Sequence, residues 1–229
     1  MLKSIMTLSS AGLLIAATSM ASAAPTQAQV HIRGTIQSVS PHSLTVTSAA
    51  GPVTISLAPK LGVTDAVPSD RAHITANGFV GITSVTEPNG SQRAVEVHIF
   101  PPSMRGAGEG TRPWDFPGVP GHHGSRMTNG TVSGAHNPTT GAPHSRMTNG
   151  TVSAHGIGAA FTITYKQGGG AGSQSIVIPA GIPIVYLQPG STADLKPGAS
   201  VFVMAQRKPD GTLAASRVLV GKNGARPPM

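Results

Sequence analysis

Nine histidines are many for a chain of 229 residues. His122, His123, His136 and His144 gather in one glycine- and proline-rich stretch, with His155 just beyond it. Neutral imidazoles of this kind suit borderline cations such as Cu²⁺, Ni²⁺ or Zn²⁺. Their spacings match no standard zinc site, and a flexible loop loses entropy when it closes around an ion. The chemistry expected of them is weak Cu/Ni/Zn binding, with no resident cofactor. Met104, Met127 and Met147 could add soft thioethers for Cu(I), but Met127 and Met147 belong to one repeated motif. The acids are few: Asp65, Asp70, Glu87, Glu96, Glu109, Asp115, Asp194 and Asp210. None is paired with another as acid/base catalysis requires. There is no G-x-S-x-G, no H-E-x-x-H and no phosphate-binding glycine loop, since GAGEG lacks the second half of such a motif. The sequence therefore predicts a protein that is not an enzyme.

A second group of residues stands in VEVHIFPPSMRGAGEGTRPWDFP (residues 95–117), which begins as an alternating strand and breaks at Pro101-Pro102. Met104, Arg105, Arg112, Trp114 and Phe116 combine aromatic anchors with guanidinium groups, the composition of interaction hot spots. A ligand- or partner-binding loop is one expectation. The other is a strap in which Phe100, Trp114 and Phe116 cover a barrel edge or a gap between domains, with Arg112 paired to Asp115 or Glu109. Tryptophan is usually well buried, which favours the strap.

The elements that position these residues must be short strands. Aromatics make up 3% and charged residues 10% of the chain, against 29 glycines and 20 prolines. That composition disfavours long helices with charged outer faces. The net charge of +8 arises from scarce acids, and its diffuse positive field suits an anionic surface. No cysteine is present, so disulfides, thiolate metal sites and cysteine nucleophiles are excluded. Lys3, the apolar run Ala11–Ala17 and the small residues Ala21-Ser22-Ala23 read as a signal peptide cleaved after Ala23. The expected location is the periplasm or outside the cell, and no later apolar stretch is long enough for a spanning helix.

Along the chain, HIRGTIQSV, SLTVTS and PVTISLAP alternate apolar and polar residues between turn signals. GFVGITSVT and QRAVEVHIF flank Glu-Pro-Asn-Gly, a strong hairpin signature. The pattern then recurs: FTITYK echoes LTVTS, and ASVFVMAQR-KPDG-TLAASRVLV echoes the hairpin, with Ala94 and Val97 in register with Ala215 and Val218. NGTVS echoes RGTIQ, aligning Gly150 with Gly34. SRMTNGTVS occurs twice, at Ser125–Ser133 and Ser145–Ser153, and only the second copy leads directly into a full β-unit. The expected organisation is a signal peptide over 1–23, a β-barrel over 30–101, a Gly/Pro/His-rich linker over 102–146, a second β-barrel over 147–222 and a tail over 223–229.

RGTIQSVSPHSLTVTS, AVEVHIFPPSMRGAGEGTRPWD, MTNGTVS, DLKPGASVFV and KPDGTLAASRVLVGK together resemble a bacterial family of small exported proteins. Its members are built from repeated OB-like β-barrel domains of unknown function and are sometimes labelled metal transporter permeases. This sequence, which has no membrane span, does not support that label. The resemblance implies an all-β protein of two small OB-like barrels, five to six strands each. Such barrels bind single-stranded nucleic acid through a basic groove with exposed rings. Here few rings are spare, and no nucleic acid is expected. The function expected is that of an exported, non-enzymatic binding or structural module of the envelope, facing an unknown envelope protein or anionic surface. The alternatives are a periplasmic metal-binding protein using the linker histidines and, behind it, an OB-type binder of anionic polymer.

Overall fold

A computed structural model describes residues 28–116, 124–136 and 159–227, His136 by its backbone alone. The expected signal peptide and the second SRMTNGTVS copy lie outside the described residues. Twelve strands follow in order: β1 (Gln29–Ser40), β2 (Ser43–Ser48), β3 (Gly51–Pro68), β4 (Phe79–Thr86), β5 (Gln92–Ile99), β6 (Gly110–Trp114), β7 (Ser125–His136), β8 (Ala160–Gln167), β9 (Gly170–Val177), β10 (Ile184–Pro189), β11 (Ser200–Arg207) and β12 (Leu213–Gly221). Three single 3-10 turns, Arg71–His73, Pro102–Met104 and Thr192–Asp194, complete the secondary structure of the described residues. The chain is all-β, as expected.

The strands close into two five-stranded circuits. In the first, β1 pairs with β2, β2 with β3, β3 in parallel with β12, β12 with β11, and β11 with β1. In the second, β7 pairs with β8, β8 with β9, β9 in parallel with β5, β5 with β4, and β4 with β7. Inward residues at alternate positions fill each barrel. Ile32, Ile36, Leu44, Val46, Val203 and Val218 lie in the first core. Val80, Ile82, Val97, Phe161, Ile163 and Ile176 lie in the second. Each fully buried aliphatic side chain stabilises the fold by roughly 1.5–3 kcal/mol.

This arrangement corrects the expected domain boundaries. Neither contiguous repeat closes on itself. The first barrel takes three strands from the first repeat and its last hairpin, β11–β12, from the second; the second barrel takes the β4–β5 hairpin in exchange. The crossing point is an antiparallel pairing of β3 with β10, in which Pro68 faces Val185, Ala66 faces Leu187 and Thr64 faces Pro189. The flanking parallel contacts repeat on either side: Val63 lies beside Val218, and Ile184 beside Val97. The two halves are thus related by a pseudo-two-fold axis near Ala66 and Leu187. β3 runs unbroken through Pro59, while the matching segment of the second repeat is broken into β9 and β10 at Gly181, whose φ is +78°.

A second correction concerns the repeated motif. Its first copy, placed in the linker by the sequence reading, is β7, a wall of the second barrel hydrogen-bonded to β4, β6 and β8. The residue equivalent to Gly34 is therefore Gly130 and not Gly150. A Cβ at Gly34 would lie 2.1 Å from the Thr47 carbonyl oxygen, and one at Gly130 would lie 2.3 Å from that of Thr164. Both positions need glycine because a neighbouring backbone crosses directly over them. Gly34→Ala and Gly130→Ala are each expected to lower stability by roughly 1–3 kcal/mol, or more, because rigid backbone must move. Thermal unfolding checks this, and Gly130→Ala should cost more than Gly150→Ala. The reverse order would place the second copy in the barrel wall.

Candidate functional site

The loop that carries the odd residues is a strap across the seam between the barrels. Pro101 to Glu109 turns over the outer face of β4, β5 and β7, and β6 then adds to the edge of β7. The seam itself holds Ala66, Val185, Leu187, Phe202 and Leu219, with Phe100, Met104 and Trp114 packed against them. A size asymmetry fits the faces together. Phe202 projects from the first barrel, while Gly81 holds the corresponding place in the second. A Cβ on Gly81 would lie 2.7 Å from Asn129 Oδ1 and 3.1 Å from the Phe100 ring.

Trp114 sits in this seam with its ring centre 4.4 Å from His31 and 6.3 Å from Phe202. Its indole N–H is buried and has no acceptor among the described residues, so ring packing holds it in place. Arg112 lies over the indole, 5.5 Å from its centre, and donates to the Gly108 carbonyl at 2.9 Å. It pairs with neither Asp115 nor Glu109, contrary to expectation. Asp115 instead crosses the seam: Arg33 Nη2 donates to its Oδ1 at 2.9 Å, and His31 Nδ1 lies 2.8 Å from the same oxygen. Glu109 accepts from the Lys166 backbone N–H at 3.1 Å. Arg105 donates to Thr131 Oγ1 at 3.2 Å and to the Asn77 carbonyl. The Phe116 N–H is held by Ser125 Oγ at 3.2 Å.

The five expected loop residues therefore meet, but as parts of one seam. Met104, Arg112 and Trp114 pack inward, Arg105 ties the strap to β7, and Phe116 leads into a groove beside the seam. The strap accounts for the contacts of Trp114. Of the expected metal ligands, His122, His123 and His144 lie outside the described residues, and His136 is described only as the β7 residue opposite Ala160. Among the described residues no cluster of three or more His, Cys, Asp or Glu side chains could hold a metal ion.

The seam also has a polar layer. Thr83 Oγ1 donates to the buried Glu96 carboxylate at 2.6 Å, and His98 lies on the same outer face of β5. Strict alternation predicts Val95 pointing inward with Val97 and Ile99. A register shift opposite Thr83 and Ser84 instead puts Ala94, Val97 and Ile99 in the core. Near the pseudo-two-fold axis, Asp65 is buried and Lys222 Nζ stands 3.9 Å from its Oδ2. Burial raises the Asp65 pKa, and the Asp194 charge adds to that. The Lys222 hydrogen bond, with two from Ser191, holds Asp194 down to about 2.

Two concavities are large enough to receive a partner. A groove of about 940 Å³ runs beside the seam, with Arg33, Thr35, Glu96, Phe116, Ser200 and Arg226 on its walls. A polar mouth of about 690 Å³ opens at one end of the second barrel. Sequence reasoning missed Arg33 and Arg226, because only the exchanged strands bring them beside Phe116. No protein-family model, curated protein or solved structure matches the chain.

Burial pushes the Asp115 carboxyl upward, but hydrogen bonds from Arg33 and His31 outweigh it and hold the group at about 2. That lies below the roughly 3.9 of an unfolded aspartate. The seam contact therefore contributes fully above about pH 4 and is lost as the pH falls through about 2. Half of the carboxylate side chain is exposed, so its contribution is under about 1 kcal/mol. Trp114→Ala is expected to cost roughly 2–4 kcal/mol in thermal unfolding, and Asp115→Asn to flatten the stability loss between pH 4 and 2. An unchanged melting temperature for Trp114→Ala would contradict the strap.

Proposed function

We propose that this chain is an exported, non-catalytic binding module whose two OB-like barrels form one rigid body for an anionic partner of the cell envelope. OB-like barrels are five-stranded Greek-key barrels that present ligands to a strand face and its adjoining loops. The order and closing parallel pair of each circuit support that assignment. The signal-peptide pattern before Ala24 supports export.

The observation that carries the reading is the placement of arginine. Arg226 borders the seam groove, where Arg33 is already paired with Asp115, and Arg126 borders the mouth of the second barrel. In a chain of net charge +8, cations at both large concavities favour carboxylate- or phosphate-bearing partners. Stacking on exposed rings, which single-stranded nucleic acid requires, has little support. Phe161 fills a barrel core, while Phe79 packs on Phe100, and Trp114 and Phe202 lie in the seam.

Retention of the mature protein on a sulfated polysaccharide matrix tests the reading. Binding is expected at low ionic strength and should weaken several-fold as NaCl rises from about 50 to about 300 mM. Absence of retention at low salt, or retention indifferent to salt, would contradict it.

A further inference from the structure

The pseudo-two-fold axis makes each barrel a control for the other. Strand pairing matches them residue by residue. Val30 faces Ala205 in the first barrel as Arg126 faces Ser84 in the second. Val46 faces Val53 as Ile163 faces Gln174. Leu213 lies beside Ile55 as Gln92 lies beside Ile176. At this end of the first barrel, Ala205 and Leu213 are buried in the core, and Val30 and Val53 pack against it. The apolar set seals the barrel.

At the same places the second barrel carries Arg126, Ser84, Gln174 and Gln92, and it is open. Arg126, Gln92 and Gln174 line the mouth of about 690 Å³, together with Thr111, Tyr165 and Ser175. The polar groups are organised. Arg126 donates through Nε and Nη2 to Thr111 Oγ1 at 3.3 and 3.2 Å. Thr128, which replaces the sealed barrel's Ile32, donates to Gln174 Oε1 at 3.3 Å. Ser84 donates to Gln92 Oε1 at 3.0 Å, and Gln92 Nε2 to Thr86 Oγ1 at 2.8 Å. These bonds fix the side chains and leave Arg126 Nη1 and the Gln174 amide nitrogen as donors without a partner among the described residues. Tyr165 is placed by Gly172: a Cβ there would lie 2.5 Å from the Tyr165 ring, so the ring covers the space that a side chain would fill.

Polar groups at a barrel end do not stabilise the fold more than the apolar seal beside them. Their arrangement points to a ligand. One guanidinium, primary amides, hydroxyls and a single aromatic wall match a hydroxyl-rich molecule with a carboxylate. A phosphate polymer would call for several cations and more stacking rings. The volume lies in the range of small-ligand sites. We infer that the mouth of the second barrel binds an acidic oligosaccharide, with Arg126 taking a uronate carboxylate, Gln174 and the serines its hydroxyls, and Tyr165 the face of a sugar ring. This rests on the reading of the chain as a binder of anionic partners, and adds the site and the chemical class.

The first barrel supplies the test. In the full mature protein, Arg126→Val, Gln174→Val and Gln92→Leu together give the second barrel three of the four apolar residues that seal the first, Ser84 standing where the first has Ala205. Calorimetric titration with oligogalacturonate should show saturable binding to the unaltered protein, weaker by at least about tenfold in the triple variant. The melting temperature should be unchanged or raised. Polyphosphate of similar charge should bind markedly less well than oligogalacturonate. Arg126→Gln alone, at a partly exposed side chain, should weaken binding in the same direction and stands in if the triple variant fails to fold. Equal affinity in the variants, or polyphosphate binding as tightly as oligogalacturonate, would overturn the assignment while leaving anion binding intact. Failure of the unaltered protein to bind either polyanion would remove the broader reading as well.

Discussion

Everything in this fold depends on the short antiparallel pairing of β3 with β10 at the pseudo-two-fold axis. Each of these strands leaves one barrel and is followed, after a single 3-10 turn, by a hairpin that belongs to the other. Because β3 also pairs in parallel with β12, and β10 with β5, the crossing segment is hydrogen-bonded on both sides. The backbone donors and acceptors of the crossing are satisfied within the sheet, which lets it run through the middle of the molecule. Neither barrel is complete without strands from the other half of the chain. Docking is therefore part of folding, and the seam packing of Phe202, Leu187 and Trp114 adds to a connection the backbone has already made.

The two barrels share a frame and differ in its use. The first is sealed at the end where the second is polar, and it contributes the seam's projecting ring. The second offers Gly81 where the first has Phe202, so the strap lies close on its outer face. A duplicated fold of this kind frees one copy from the work of stability alone. The polar mouth appears where the copies have diverged, and Arg126 lines it as Arg226 lines the seam groove.

Much of this was legible in the residues. Alternation in HIRGTIQSV, SLTVTS and GFVGITSVT located strands, and EPNG and KPDG located the hairpins at Gly90 and Gly211, whose φ angles are +82°. The register of Ala94 with Ala215 was visible, and extending it by two residues would have set Gln92 against Leu213. The exchange was not legible. Two repeats of one pattern give the same local strand pairs whether a hairpin folds back on its own repeat or on the other. Nor could the sequence choose between the copies of SRMTNGTVS, since nine identical residues make identical contacts in the barrel wall. Only the flanking loop lengths differ, and each doubling of a loop costs about 0.6 kcal/mol. The bulge at Val95 broke the alternation for a similar reason, because β-bulges carry no fixed residue signature.

Cross-linking tests the exchange most directly, and the absence of cysteine makes it clean. Thr35 of β1 lies opposite Ser200 of β11 in the exchanged fold. Were each repeat to close on itself, Thr35 would instead face Phe79, the residue of β4 equivalent to Ser200. Thr35→Cys with Ser200→Cys should form an intramolecular disulfide under mild oxidation, seen as a gel shift and a mass loss in the monomer. The exchange would be contradicted if that pair stayed reduced while Thr35→Cys with Phe79→Cys closed readily.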